Sequence, residues 1–256
     1  MADLYDETRV FNEECFDSAS DFLVERFPPK RFSKLFEPGI GSGRIALLLA
    51  KRGYKITGVD ISQKMLMLLE KRLAQGRSPL QISFQKADVL DLPFSESTFD
   101  IAVVVHLFYF VQEWKKAVDE ILKVLRKDGP LVLMHTGTGM EVPFLNTRYK
   151  ELCSEQGHPI PEFGAQSNAE VGEYLETLGC RVEWIRDRWQ WTQHIQLDKA
   201  LNYMKSRTYS FTTSTPNDVH SKAIEKLESE LQQQFGNLAT KVEVSNQIYL
   251  VLALRR

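Results

Sequence analysis

Between residues 33 and 136 short apolar runs and amphipathic helical stretches take strict turns, and that alternation limits the fold more than any other feature. SKLFEPG, YKITGVD, LQISFQKAD, FDIAVVVHLFYF and PLVLMHTG have the length and β-branched content of strands. The continuous valine run of the fourth suits a strand buried on both faces. GRIALLLAKRG, SQKMLMLLEKRLAQ and QEWKKAVDEILKVLRKDG carry apolar residues at helical spacing, with Ser62 as an N-cap and Gly53 and Gly129 as stops. A further helix over 13–27 is expected ahead of them, with Asn12 as its N-cap and Pro28-Pro29 as its end. Strands that alternate with helices pair in parallel through right-handed crossovers. The expected fold is therefore α/β, a doubly wound and mainly parallel sheet whose ligands lie beyond the carboxyl ends of the strands.

The second half is less regular. Helices are expected over 144–157, 168–178, LDKALNYMKSR and NDVHSKAIEKLESELQQQF, and a long Trp-rich strand over 181–195. KVEVSNQIYLVLALRR reads as a last strand with a polar kink at Ser245-Asn246. Two late strands complete a seven-stranded sheet, and the intervening helices form a cap. Residues 1–256 are expected to be one domain, with a ligand-binding core at 30–136, a cap with late sheet elements at 137–239 and a final strand at 240–256. Trp189 and Trp191 alternate with polar residues, and covering the sheet edge is the favoured reading over walling an apolar pocket.

A net charge of −2 argues against a surface built for a nucleic-acid backbone, although a local basic strip is compatible with it. Cys15, Cys153 and Cys180 share no short spacing, so neither a disulfide framework nor a cysteine metal site is suggested. Charged residues stand where a signal peptide needs an apolar core, and no apolar run reaches about 18 residues. A cytoplasmic protein, free of the membrane, is expected, as a monomer or homodimer.

EPGIGSGRIALLLAKRGYKITGVD places glycines at 39, 41 and 43 and an acid at 60. A dinucleotide fingerprint counted from Gly39 meets Arg44 where a small residue is required. Counted from Gly41 it reaches Ala46, which is allowed, but Glu37 and Gly39 are then left without purpose. A nucleotide-hydrolase loop fails, because no Gly-Lys-Ser/Thr follows.

The pattern that uses every position is E-x-G-x-G-x-G followed by an acid at the end of the next strand. It resembles the cofactor site of the class I S-adenosylmethionine-dependent methyltransferases, over about residues 30–136. The resemblance implies a Rossmann-like methyltransferase fold, S-adenosyl-L-methionine as cofactor and S-adenosyl-L-homocysteine as product. It implies that Asp60 holds the ribose hydroxyls and that Asp88, in KADVLDLPF, lies near the adenine. FDIAVVVHLFYFV and VLRKDGPLVL match the fourth-strand motif and the approach to the fifth strand. The cofactor has no phosphate, so acids around the loop are tolerable. Loop N–H groups and Arg44 suit its carboxylate, and Glu37 or the backbone at 39 and 106 its ammonium. Ile61, Met65 and Val89 are placed to sandwich the adenine, and Gly39, Ile40, Gly41 and Ala87 complete the set. The bland alternatives are a ligand-free turn at 39–43, a helix cap at Asp60, a turn residue at Asp88 and a solvated charge at Arg44.

The implied reaction moves a methyl group to an O, N or C atom of a small-molecule acceptor. Such an in-line displacement relies on positioning, and needs a base only when the acceptor loses its proton early. The Asn/Asp-Pro-Pro-Tyr/Phe motif of nucleic-acid N-methyltransferases is replaced here by His106-Leu107-Phe108-Tyr109-Phe110. No carboxylate cluster marks a magnesium site, so no metal is expected. His106 is the candidate catalytic residue, against a structural role. Phe108 and Tyr109 are candidates for the acceptor pocket, and Tyr5 resembles an amino-terminal tyrosine that covers the cofactor in relatives. MKSRTYSFTTSTP resembles a cap segment of small-molecule methyltransferases, which adds Arg207, Tyr209, Ser210 and Thr212. Hydroxyl groups stabilising a helix-to-loop transition are the alternative there. Two other classes stay open: an NAD(P)-dependent oxidoreductase on the second glycine register, and a non-catalytic S-adenosylmethionine-binding regulator.

Overall fold

The computed structural model describes residues 12–76, 79–137 and 140–255. Within them the expected alternation becomes strands β1 (Lys34–Pro38), β2 (Lys55–Asp60), β3 (Ile82–Lys86), β4 (Ile101–Val105) and β5 (Leu131–His135). Helices α1 (Glu13–Arg26), α2 (Arg44–Lys51), α3 (Gln63–Gln75) and α4 (Trp114–Val124) precede or separate them. Later come α5 (Pro143–Glu155), α6 (Asn168–Thr177), β6 (Arg181–Gln196), α7 (Leu197–Lys205), α8 (Ser210–Thr213), α9 (Asn217–Phe235) and β7 (Lys241–Leu254).

The strand order is β3-β2-β1-β4-β5-β7-β6, a mostly parallel seven-stranded sheet among the described residues. β1 pairs in parallel with both β2 and β4, so the order reverses between β1 and β4. Such a switch point opens a crevice at the carboxyl ends of the two strands. β7 runs antiparallel to β5, pairing Leu131 with Ala253 and His135 with Tyr249.

Two compact units can be described. The first holds Glu13–Thr136, Glu162–Trp189 and the residues from Gln247 onward; the second holds Gly137–Pro161 and Gln190–Asn246. In the first unit β4 is buried on both faces, and Trp114, Ala117, Val118, Ile121 and Leu122 of α4 pack into its core. Each fully buried aliphatic side chain of this kind contributes about 1.5–3 kcal/mol. Trp189 settles on α1, its Nε1–H donating to Ser18 Oγ at 3.0 Å and its ring edge-on to Phe22.

The core of the second unit is built from α5, α7 and α9. The Arg148 guanidinium bridges two of these helices, donating to both oxygens of Glu230 at 2.8 and 2.9 Å.

Three local departures from the sequence reading have physical causes. α4 stops at Val124 because the next residues leave it to form a parallel bridge with Phe99. The run FDIAVVVHLFYF is a strand only to Val105; His106 then turns left-handed at φ 52° and Phe108–Phe110 forms a 3-10 turn. β7 continues through Ser245-Asn246 without interruption, with Asn246 buried where Gly137 leaves room for it.

Candidate functional site

β1 delivers the chain into the glycine loop, where Gly39, Gly41 and Gly43 have φ of 69°, 56° and 77°. Those are left-handed values that side chains resist, so the three glycines are a backbone requirement. The loop is seated on β2: a Cβ on Gly58 would stand 2.2 Å from Ile40 Cδ1. Gly43 meets α3 as closely, with Leu69 Cδ1 2.4 Å from the place of its absent Cβ. The loop amides are committed internally. Gly39 and Ile40 donate to Val59 O at 2.8 and 3.0 Å, and Gly43 donates to Ile40 O at 2.9 Å. Gly41 donates to Asp60 Oδ2 at 2.9 Å.

Asp60 joins three parts of the site. Its second oxygen accepts the Ser62 N–H at 2.8 Å, and Ser62 in turn caps α3. Each carboxylate oxygen thus uses one lone pair and retains another. Glu37 lies near the end of β1 and is only 2% exposed. Its Oε2 has no hydrogen-bond partner among the described residues, and burial pushes its carboxyl well above the ordinary carboxylate range. Ile61 is 67% exposed beside Asp60, an unusual position for a large apolar side chain. Met65 reaches back over Gly41, and Ala87 donates its N–H to Asp60 O at 3.3 Å. Asp88 is exposed and accepts the Leu90 N–H at 2.9 Å, so it does act as a turn residue. Val89 is in the core, and Arg44 opens α2.

A second cluster stands where β4 and β5 end. His106 Nε2 lies 2.9 Å from Thr136 Oγ1 and accepts the Thr136 N–H at 3.2 Å. His135 closes β5; its ring stacks on Tyr249 at 4.6 Å and meets the His106 ring edge-on at 5.0 Å. Burial lowers the His135 imidazole from 6.5 to about 4, so it is neutral at physiological pH. Tyr109 is raised by burial and by its hydrogen bond with Tyr249. Sequence reasoning passed over His135 and Tyr249. The available signal was positional, since His135 ends the fifth strand as His106 follows the fourth.

Other candidates have partners of their own. Phe108 is 3% exposed and packs in the core of the first unit. Arg207 and Tyr209 belong to the second unit and serve their own loop. The Arg207 guanidinium donates to the carbonyls of Thr212 and Thr215, both at 2.7 Å, and to Asn217 Oδ1 at 3.0 Å. Tyr209 is buried against Phe211, and Thr212 Oγ1 donates to Tyr209 O at 2.7 Å, so hydroxyl groups do stabilise this turn. Ser210 begins the short α8. Tyr5 lies outside the described residues. No group of three or more His, Cys, Asp or Glu with metal-holding geometry occurs among the described residues. No described helix is long and apolar enough to cross a membrane.

Residues 36–133 match the family model described as "Methyltransferase domain". The chain is 30% identical over 179 residues to a demethylmenaquinone methyltransferase of Clavibacter sepedonicus, covering 68% of this chain and 70% of the relative. This chain belongs to the class I S-adenosylmethionine-dependent methyltransferases. Across three demethylmenaquinone methyltransferases, that one included, it spans between 51% and 70% of the relative's length. Among solved structures, the YcgJ protein of Bacillus subtilis superposes with a TM-score of 0.61 at 18% identity, covering 93% of this chain and 98% of that one. A Haemonchus contortus phosphoethanolamine N-methyltransferase, solved with phosphomonomethylethanolamine and S-adenosylhomocysteine, gives a TM-score of 0.53 at 16% identity. It covers 93% of this chain and 52% of that one. Membership of the methyltransferases makes the protein an enzyme of that class and sets aside the oxidoreductase alternative.

Proposed function

We propose that this methyltransferase binds S-adenosylmethionine at the glycine loop and transfers its methyl group to a small-molecule acceptor. The observation that carries the reading is the buried Glu37 carboxyl, whose Oε2 lacks a partner among the described residues. Such a group calls for a cation, because an isolated buried carboxylate is costly. The ammonium of a methionine moiety answers it, whereas a phosphate would face both Glu37 and Asp60. Gly39, Ile40 and Gly41 act through backbone shape, since their N–H groups are already bonded.

The unused lone pairs of Asp60 accept the ribose hydroxyls, and the free Asp88 oxygen accepts from the adenine amine. Ile61 and Met65 cover the adenine, with Ala87 and Val89 beneath. Arg44 and the amino end of α2 offer donors to the methionine carboxylate. The backbone at His106 borders the cofactor's methionine end. When bound, S-adenosylmethionine supplies an electrophilic methyl on a sulfonium. The chain's own work is to orient the acceptor and exclude water from it. A small-molecule acceptor is supported by the relative named for demethylmenaquinone.

Calorimetry with S-adenosylhomocysteine tests the reading. Wild type should bind it, and Glu37→Gln should weaken binding about tenfold or more, as expected for losing a charge-assisted hydrogen bond. Absence of binding to the wild-type chain would sink the assignment. Binding without methyl transfer to any acceptor would favour a regulator instead.

A further inference from the structure

Two histidines meet where β4 and β5 end, and their ring nitrogens are used differently. His106 Nε2 already accepts from Thr136, so as a base it would have to surrender that contact. His135 Nδ1 is buried with no hydrogen-bond partner among the described residues. In its Nε2–H tautomer this nitrogen is an acceptor with nothing to accept. Around it stand the Tyr249 face, the His106 edge and, further out, Tyr109 and Trp184. Burial is what lowers this imidazole, with no carboxylate charge among the described residues opposing it. Arg186 of β6 lies over Trp184 at 3.9 Å and influences Tyr249.

We propose that His135 is the acceptor-side catalytic residue of this methyltransferase, and that the acceptor is an uncharged aromatic compound methylated on a hydroxyl oxygen. Nδ1 accepts the hydrogen bond of that hydroxyl, while the surrounding rings provide stacking surfaces for a planar ring. The proposal rests on S-adenosylmethionine being the donor. As an oxygen lone pair forms the new C–O bond, the C–S bond breaks and its electron pair stays on sulfur. The hydroxyl proton passes to Nδ1, so the positive charge moves from sulfonium to imidazolium. An imidazole held at about 4 is a weak base, yet an oxygen that has gained a methyl while keeping its proton is far more acidic still. An amine attacks through its own lone pair and needs no base, whereas a hydroxyl oxygen gains from one, so a base at this place serves oxygen rather than nitrogen.

The test uses the full chain with 1-naphthol and 1-naphthylamine as paired probes. Calorimetry with S-adenosylhomocysteine comes first: if wild type fails to bind, the donor assignment falls and this proposal with it. Given binding, 1-naphthol should be methylated in preference to the amine, and its addition to the S-adenosylhomocysteine-loaded chain should shift the His135 Nδ1 resonance in 15N-histidine spectra. His135→Asn, which can still accept a hydrogen bond but not a proton, should hold KM within about threefold and lower kcat about 100-fold or more. It should also remove the acid limb of the kcat profile, whereas His135→Phe should raise KM as well. Equal methylation of the amine, an unshifted resonance, full kcat in His135→Asn, or a wild type that binds S-adenosylhomocysteine but leaves the naphthol untouched would each overturn the proposal while leaving the donor assignment standing.

Discussion

Asp60 and Gly41 are joined by a hydrogen bond of 2.9 Å, the glycine N–H donating to one carboxylate oxygen while the other oxygen holds the N–H of Ser62. One side chain thus fixes both the glycine loop and the entry to α3. Asp60→Ala should lower S-adenosylhomocysteine affinity more than tenfold, since bonds to a charged acceptor are each worth about 1.5–3 kcal/mol. Asp60→Asn should lose less, because it keeps one acceptor oxygen. Calorimetry of the two variants checks the order.

The seat of the loop on β2 predicts a coupled pair. Gly58→Ala drives a methyl into Ile40 and should destabilise the fold by about 1–3 kcal/mol. In Gly58→Ala/Ile40→Ala the two costs should fall short of their sum by about 0.5 kcal/mol or more. Urea unfolding of the three variants measures the difference.

His135 gives stability a pH dependence of defined sign. Its imidazole is held at about 4 in the folded chain against an ordinary 6.5, so between those values the unfolded chain binds more protons. Its contribution is complete above about pH 6.5 and is lost as the pH falls toward 4. The drop in urea midpoint between pH 7 and pH 4.5 should be smaller in His135→Phe than in wild type.

Arg207 separates a pocket role from a structural one. Its guanidinium holds the carbonyls of Thr212 and Thr215, so Arg207→Ala should cost about 1–2 kcal/mol of stability, allowing for partial solvent screening. S-adenosylhomocysteine affinity should stay within about twofold. A large fall in affinity with unchanged melting would return Arg207 to the ligand site.

The glycine loop and the parallel sheet were legible because backbone demands are written locally. A glycine at 39, 41 or 43 and an acid seventeen residues after the last of them are one stretch of chain. The strands and helices followed for the same reason, down to the bounds of α9. What stayed hidden was tertiary. Nothing near Phe108 says that its ring turns into the core, and nothing near Arg207 says that its charge is spent on its own loop. His135 escaped notice because its partner Tyr249 arrives from a strand more than a hundred residues later, in antiparallel register.

That register also sets an order of assembly. Asp60 reaches Gly41 across 19 residues, whereas His135 must wait for Tyr249 across about six times that span. Loop-closure entropy grows with the logarithm of length, so the second pairing costs about 1.5 kcal/mol more to close. The glycine loop can take shape while the chain is still collapsing; the two-histidine cluster is finished only when β7 docks, and it comes apart when β7 leaves β5.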